Sequence, residues 1–359
     1  MFREHDFFWK SVYLRRPYPV LAERDVFFDM HGQVMYGVGD WGEDVRHVSR
    51  YIVKRFIQLA AVLFGISFLT FLLTYLSPGD PARLMLMSTG VTPSDELVQQ
   101  VRVQLGLDQP FWIRYGSWLG QVLTGDFGTS YKYDRPVLDI LLSRLPATLR
   151  LTGSALVLVI LIAFPLGILS AVYRNNVLDY VIRLFSFAGL SMPSFWLGML
   201  LMLVFGVQLK LLPVMGSSGW NSLILPACTL ALPLIAQYIR QIRTVILEEM
   251  SQNYVTGARA RGVKERVIML QHILPNILLP IVTLMGMSTG ALLGGAAIVE
   301  SLFVWPGVGQ MAVDAIFTRD YPLIQGYVIW MATIYVLLNL MVDLWTHLHD
   351  PRIRLDVDV

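Results

Sequence analysis

Six stretches of this chain run for about 20 residues or more almost without charge, at approximately 53–76, 149–173, 180–208, 222–246, 276–299 and 323–346. Each is long enough to cross a hydrocarbon core of about 30 Å as a helix. A backbone inside a bilayer must satisfy its own N–H and C=O groups, so the expectation is a helical bundle. The pattern therefore predicts an all-α polytopic membrane protein with six transmembrane helices, the first over 49–76 and five more in a core over 149–346. Two polar stretches interrupt it, 77–148 and 248–275, while 1–48 and 347–359 flank it.

The polar stretches carry patterns of their own. Residues 1–48 mix charges such as Arg3, Glu4 and Asp6 with aromatics such as Phe7, Phe8 and Trp9, and no periodicity outlasts a turn or two. They read as a cytosolic extension, disordered or with a short surface-lying helix, or as the product of a start placed upstream of Val48. Within 77–148, the run Thr92-Pro93-Ser94-Asp95-Glu96 predicts a helix start, with Thr92 as cap and the acids at the positive end of the dipole. Leu97, Val98, Val101 and Leu105 follow at helical spacing. A second amphipathic helix puts Phe111, Tyr115, Trp118, Leu119 and Val122 on one side, suited to the membrane interface. These helices are expected to pack on the bundle rather than bind a ligand. Pro193, Pro226 and Pro233 predict bends in spans three and four. Gly257 and Gly262 predict breaks between short helices in the 248–276 loop, and Pro275 opens the next span.

Composition agrees with the pattern. Hydrophobic residues make up 55% and charged residues 15%, where soluble domains carry roughly a quarter charged. A net charge of +2 is too small to point to nucleic acid. The single cysteine, Cys228, excludes an intrachain disulfide framework. No signal-peptide apolar region stands in 1–48, so the first span is expected to be an uncleaved anchor. Basic residues set the orientation. Arg50, Lys54 and Arg55 precede span one, Arg174 and Arg183 flank the turn after span two, Arg240 to Arg266 bracket the long loop, and Arg352 and Arg354 follow span six. With basic span ends retained inside, both termini and 248–275 are expected in the cytosol and 77–148 outside.

Catalytic chemistry finds little support. Gly286-Met287-Ser288-Thr289-Gly290 fits a nucleophile elbow, which demands a strand-to-helix turn, yet it sits in an apolar helix. Gly37 to Gly42 fits a dinucleotide fingerprint without a surrounding βαβ unit. No phosphate-binding loop occurs, so energy must come from a partner. His272, His347 and His349 do not cluster with cysteine or carboxylates at ligand spacing, and no metal site is assigned. Met192, Met199, Met202, Met285 and Met287 read as packing residues. Inside the spans only Gln237 and Asn339, with Asp343 near an end, stand out as polar, a sparse set for a secondary carrier. Gly286, Gly290 and Gly294 recur every fourth residue with Ser288, Thr289 and Gly295 beside them, a pattern that permits close helix approach within the chain or against another. Trp305-Pro306-Gly307 with Gly309 predicts a tight turn, with Trp305 at headgroup level, and Arg319 is expected to pair with Asp320.

In the 248–276 loop, Thr256-Gly257-Ala258, Gly262 and Ile273-Leu274-Pro275 resemble the coupling loop of bacterial ATP-binding-cassette importer permeases. The family's namesake Glu falls on Thr256 here. The tags Ser77-Pro78-Gly79-Asp80-Pro81, Gly125-Asp126-Phe127-Gly128, Leu145-Pro146-Ala147-Thr148, Trp305-Pro306-Gly307-Val308-Gly309 and Arg319-Asp320-Tyr321-Pro322 resemble the peptide and nickel branch. The likeness covers residues 50–355. It implies a type I importer fold in a bacterial inner membrane, working with a homologous second permease, two ATPases, an extracytoplasmic solute-binding protein and membrane lipid. The chain itself would be non-catalytic and bind no cofactor, with ATP and Mg held by the ATPases. The ATPase-coupling residues would be Glu249, Tyr254, Thr256, Gly257, Ala258, Arg259, Gly262, Ile273, Leu274 and Pro275. Gly286, Ser288, Thr289, Gly290 and Gly294 would form the seam between permeases and the translocation path. Trp305, Pro306, Gly307, Gly309, Arg319 and Asp320 would form a periplasmic gate or turn. The implied solute is a small peptide or nickel, free or chelated; a secondary solute carrier and a membrane-embedded hydrolase are the alternatives.

Overall fold

The computed structural model describes residues 26–28, 34–36, 41–88, 93–215 and 219–349. The remainder of 1–48, Thr92 and the tail with Arg352 and Arg354 lie outside the described residues. A short antiparallel hairpin pairs β1 (Val26–Phe28) with β2 (Val34–Tyr36), Val26 opposite Tyr36. Everything else with regular structure is helical.

Helix α1 (Trp41–Leu76) starts well before its apolar stretch, which runs over Arg55–Leu76. Two outer helices follow, α2 (Pro81–Ser88) and α3 (Asp95–Gln104). The cap of α3 is Ser94, whose hydroxyl accepts from the Leu97 N–H, so the N-terminus falls two residues after the expected Thr92. Helix α4 (Phe111–Leu123) lays Phe111, Tyr115 and Trp118 against Phe68 and Phe71 of α1, with ring centroids 5.3–6.0 Å apart. The Tyr115 hydroxyl also meets Ser67 Oγ at 2.9 Å. The aromatic side of α4 thus covers the first span rather than floating at an interface, as expected for a helix packed on the bundle.

The centre is α5 (Val137–Val172) against α8 (Asn221–Met250). Leu151, Ala155, Val159 and Ala163, four residues apart, form one ridge on α5, and Ile235, Ile239, Ile242 and Ile246 belong to the same core from α8. Pro146 and Pro165 stand inside α5, and Pro226 and Pro233 inside α8, without ending either helix. Pro193 acts differently. The expected third span is two pieces, α6 (Val177–Ser191) and α7 (Ser194–Leu201, continued as a π-helix over Met202–Gln208), bent by 107° at Met192-Pro193. The proline denies α7 an N–H and holds the preceding residue extended, which ends α6.

After α8 come α9 (Asn253–Ala260) and α10 (Glu265–Val267), which runs through a π-helical stretch (Ile268–Ile273) into α11 (Leu274–Phe303). The chain then turns by 80° into α12 (Val308–Thr318), and α13 (Tyr321–His349) closes the fold. Among the described residues, five helices are long and apolar enough to cross a membrane, and two bent pairs also qualify, for up to seven. Six crossings result when α6 with α7 counts as one and α12 stays beside the end of α11.

Candidate functional site

The 248–276 loop is ordered by three local devices. Glu249, at the end of α8, accepts hydrogen bonds from the Tyr254 hydroxyl at 2.7 Å and from Asn276 Nδ2 at 2.9 Å, tying the end of α8, the start of α9 and the start of α11 together. Burial, and then the bond to Glu249, pushes the Tyr254 phenol up to about 12. Arg259 grips both carboxylate oxygens of Glu265, at 2.7 and 3.2 Å, bridging the turn between α9 and α10. The turn itself is a Schellman motif: Gly262 N–H donates to Arg259 C=O and Val263 N–H to Ala258 C=O, with Gly262 at φ +76°. Gly262 therefore makes the break expected of it. Gly257 does not; it lies within α9 and its backbone is helical.

Helix α9 is amphipathic in the sense a docking piece needs. Val255 and Ala258, three apart, are buried in the main core together with Ile268 and Ile273. Thr256, Arg259, Arg261, Gly262, Lys264 and Arg266 are exposed, as are Leu270 and Pro275. Of the residues expected to couple, Ala258 and Ile273 are core, Tyr254, Gly257 and Leu274 are half-buried, and Thr256, Arg259, Gly262 and Pro275 face outward. A basic, partly apolar surface is thus held rigidly on one end of the bundle.

At the other end of α11 the sequence missed the central residue. Glu300 is fully buried; its Oε1 accepts from Thr148 Oγ1 at 2.5 Å, and its Oε2 from the N–H groups of Gly309 at 2.8 Å and Gln310 at 3.0 Å. Thr148 Oγ1 in turn accepts the Val308 N–H at 2.9 Å. The first-turn donors of α12 are thus satisfied by two side chains from other elements, with negative charge at the positive end of the helix dipole. A Cβ on Gly309 would lie 2.5 Å from the Ala297 Cα and 2.9 Å from the Glu300 carboxylate, so only glycine admits this approach. Trp305 is buried and donates from Nε1 to the Ala147 carbonyl at 2.9 Å. The ring is a peg holding the turn to α5.

Arg319 and Asp320 do not pair with each other. Arg319 donates to the Pro78 carbonyl at 3.0 Å, while buried Asp320 accepts from Ser130 Oγ at 2.5 Å, Lys132 N–H at 3.1 Å and Leu323 N–H at 3.3 Å. Neighbours in sequence here serve two different elements. The last bond makes Asp320 the cap of α13.

The small residues of α11 face inward. A Cβ on Gly286 would meet Val342 at 2.3 Å and one on Gly290 would meet Tyr335 at 2.4 Å, so both admit α13 of this same chain. Ser288 meets the Tyr238 hydroxyl at 2.7 Å, and Thr289 bonds back to the Met285 carbonyl. Gly294, by contrast, has nothing within 4 Å of a Cβ built on it. Packing within the chain thus accounts for Gly286 and Gly290.

A buried ion pair also escaped the sequence reading. Asp179 accepts from Arg243 Nε and Nη2, both at 2.9 Å, and from Ser170 Oγ and Asn175 N–H, fixing the α5–α6 turn to α8. Among the described residues, no three of His, Cys, Asp and Glu gather as a metal site.

Comparison with known proteins converges on one group. The family described as binding-protein-dependent transport system inner membrane component matches residues 163–355, and its N-terminal companion matches 48–152. The glutathione transport system permease protein GsiC of Escherichia coli (strain K12) is 40% identical over 304 residues, 85% of this chain and 98% of that protein. The protein of the same name from Salmonella typhi shows the same identity and coverage. Among solved structures, an inward-facing MetNI methionine ABC transporter aligns with 58% of this chain and 96% of its own at 16% identity, with a TM-score of 0.49.

Proposed function

The chain belongs to the family of binding-protein-dependent transport system inner membrane components, and from that membership we propose that it imports short peptides of the glutathione kind. It is a multi-pass permease subunit of an ATP-binding-cassette importer. The single observation that carries the peptide solute is the 40% identity extending over 98% of the glutathione permease. A homologous second permease completes the channel, an extracytoplasmic binding protein delivers the solute, and two ATPases hold ATP and Mg.

Energy enters at α9. Its outer face offers Thr256, Arg259 and Arg261 to an ATPase, while Val255 and Ala258 lock it to the core. Glu249 and Asn276 tie it directly to the root of α11. A push on α9 therefore travels along α11 to the turn that Glu300 holds, at the far end of the bundle. Two packings of that lever against α5 and α13 would give the alternating access that importers need.

Uptake of labelled glutathione, a labelled dipeptide and radioactive nickel should be followed in cells lacking the chain and in cells with it restored. Peptide uptake is expected to fall on deletion and return on restoration, with nickel unchanged. Loss of nickel uptake alone, or no response of either peptide to restoration, would overturn the peptide reading.

A further inference from the structure

Between α1, α11 and α13 lies a cavity of about 800 Å³, within the size of typical small-molecule sites. Its wall has two characters. One end is polar, with Arg55 and Gln58 from α1 and Asn339 and Asp343 from α13, and Arg55 Nη2 stands 2.9 Å from Asp343 Oδ2. The remainder is mainly apolar, with Val62, Ile66, Leu293 and Met331 along it beside Tyr327 and Tyr335. The void persists because α11 presents Gly294 to it, where a Cβ would find nothing within 4 Å. The cavity is half-open along its side, so an occupant can enter it from between the helices.

Its position and charge identify the occupant's chemistry. The two flanking spans are the least covered by the rest of the chain, with 17% of the apolar window buried for α1 and 6% for α13. A site polar at one end and apolar along its length takes an amphiphile standing parallel to the helices. Among the described lining residues, the polar end carries one cation and one anion, side chains 40% and 35% exposed. A net anionic headgroup would place a second negative charge beside Asp343. A zwitterionic one offers phosphate to Arg55 and ammonium to Asp343, while the amide N–H groups of Gln58 and Asn339 can donate to the glycerol ester carbonyls. A peptide solute would instead press its own amide groups against apolar walls without partners.

We propose that this cavity binds one phospholipid with a primary-ammonium zwitterionic headgroup, of the phosphatidylethanolamine class, with its head at Arg55–Asp343 and an acyl chain beside Gly294. The proposal stands whatever solute the importer carries.

The test is native mass spectrometry of the intact complex purified from membranes, stripped with detergent and then offered phosphatidylethanolamine, phosphatidylglycerol and glutathione. Wild type should retain one phosphatidylethanolamine per copy of this chain in preference to phosphatidylglycerol. Gly294→Leu fills the void from an unobstructed Cβ and should lower that retention by about tenfold or more at unchanged complex mass. Asp343→Asn removes the carboxylate from the head site and should turn the preference toward phosphatidylglycerol. Equal retention by Gly294→Leu, no headgroup discrimination by wild type, or displacement of lipid by glutathione would each overturn the site. Dissociation of the complex by Gly294→Leu would do so too, by giving the cavity to a neighbouring chain.

Discussion

Glu300 carries the outer turn alone among side chains of α11. Three donors converge on one carboxylate that is out of reach of water, from Thr148, Gly309 and Gln310. Glu300→Gln keeps the shape, but its amide nitrogen faces donors where an acceptor stood. The expected cost is about 3 kcal/mol, since stranded buried donors lose their full hydration. Thr148→Val strands the Val308 N–H and one side of the acid, for about 1–2 kcal/mol. Both should appear as lowered Tm of the purified complex, in that order, and an unchanged Tm for Glu300→Gln would remove the acid from its role. The Trp-Pro-Gly-Val-Gly tag was readable as a turn because proline and glycine are local punctuation. Its cause was not readable, because Glu300 sits in an apolar run and its partner Thr148 lies 152 residues away. Asp179 and Arg243, 64 apart, escaped for the same reason. Arg319 and Asp320 misled in the opposite way, as adjacency suggested a pair that the two side chains do not make.

Helices as elements were legible and their ends were not. Length and hydropathy suffice for existence, as the five apolar helices show. Helix α5 begins at Val137, ahead of its apolar run, because Val137, Ile140 and Leu141 bury against Met311, Ala315 and Leu323 in a small second core that no local pattern announces. Glycine shows the same limit, since Gly257 and Gly262 look alike in sequence and only the second adopts a left-handed φ. That difference makes a graded prediction for the α9–α10 turn. Nothing lies within 4 Å of a Cβ at Gly262, so bulk meets no wall and the cost is conformational. Gly262→Asn should be nearly tolerated, Gly262→Ala should cost about 1 kcal/mol, and Gly262→Val more, following the price of left-handed backbone for each residue. Transport per ATP hydrolysed should fall along the same series while the complex stays assembled. Gly262→Trp should uncouple too, and normal uptake by that variant would refute the turn's part in coupling. Gly257→Ala, inside a helix, should leave coupling intact.

At the scale of the whole molecule, the polar contacts sort into two ends. One end gathers Tyr321 with Ser77, Arg319 with Pro78, Asp320 with Ser130 and Glu300 with Thr148. It thus joins the end of α1, the start of α5, the end of α11 and the start of α13. The opposite end gathers Arg55 with Asp343, Asp179 with Arg243, and Glu249 with Tyr254 and Asn276. Helices α1, α5, α11 and α13 each run from one set to the other. The second end also holds Arg174, Arg240, Arg259, Arg261, Lys264 and Arg266, basic residues of the kind that span ends retain on the cytosolic side. Single cysteines introduced in a Cys228→Ala background should therefore divide cleanly. Leu123→Cys and Phe317→Cys, both strongly exposed beside the first set, should react with an impermeant maleimide in intact cells. Arg261→Cys and Thr256→Cys, on the exposed face of α9, should react only after permeabilisation. Labelling of Arg261→Cys from outside would invert the chain and take the ATPase surface away from α9.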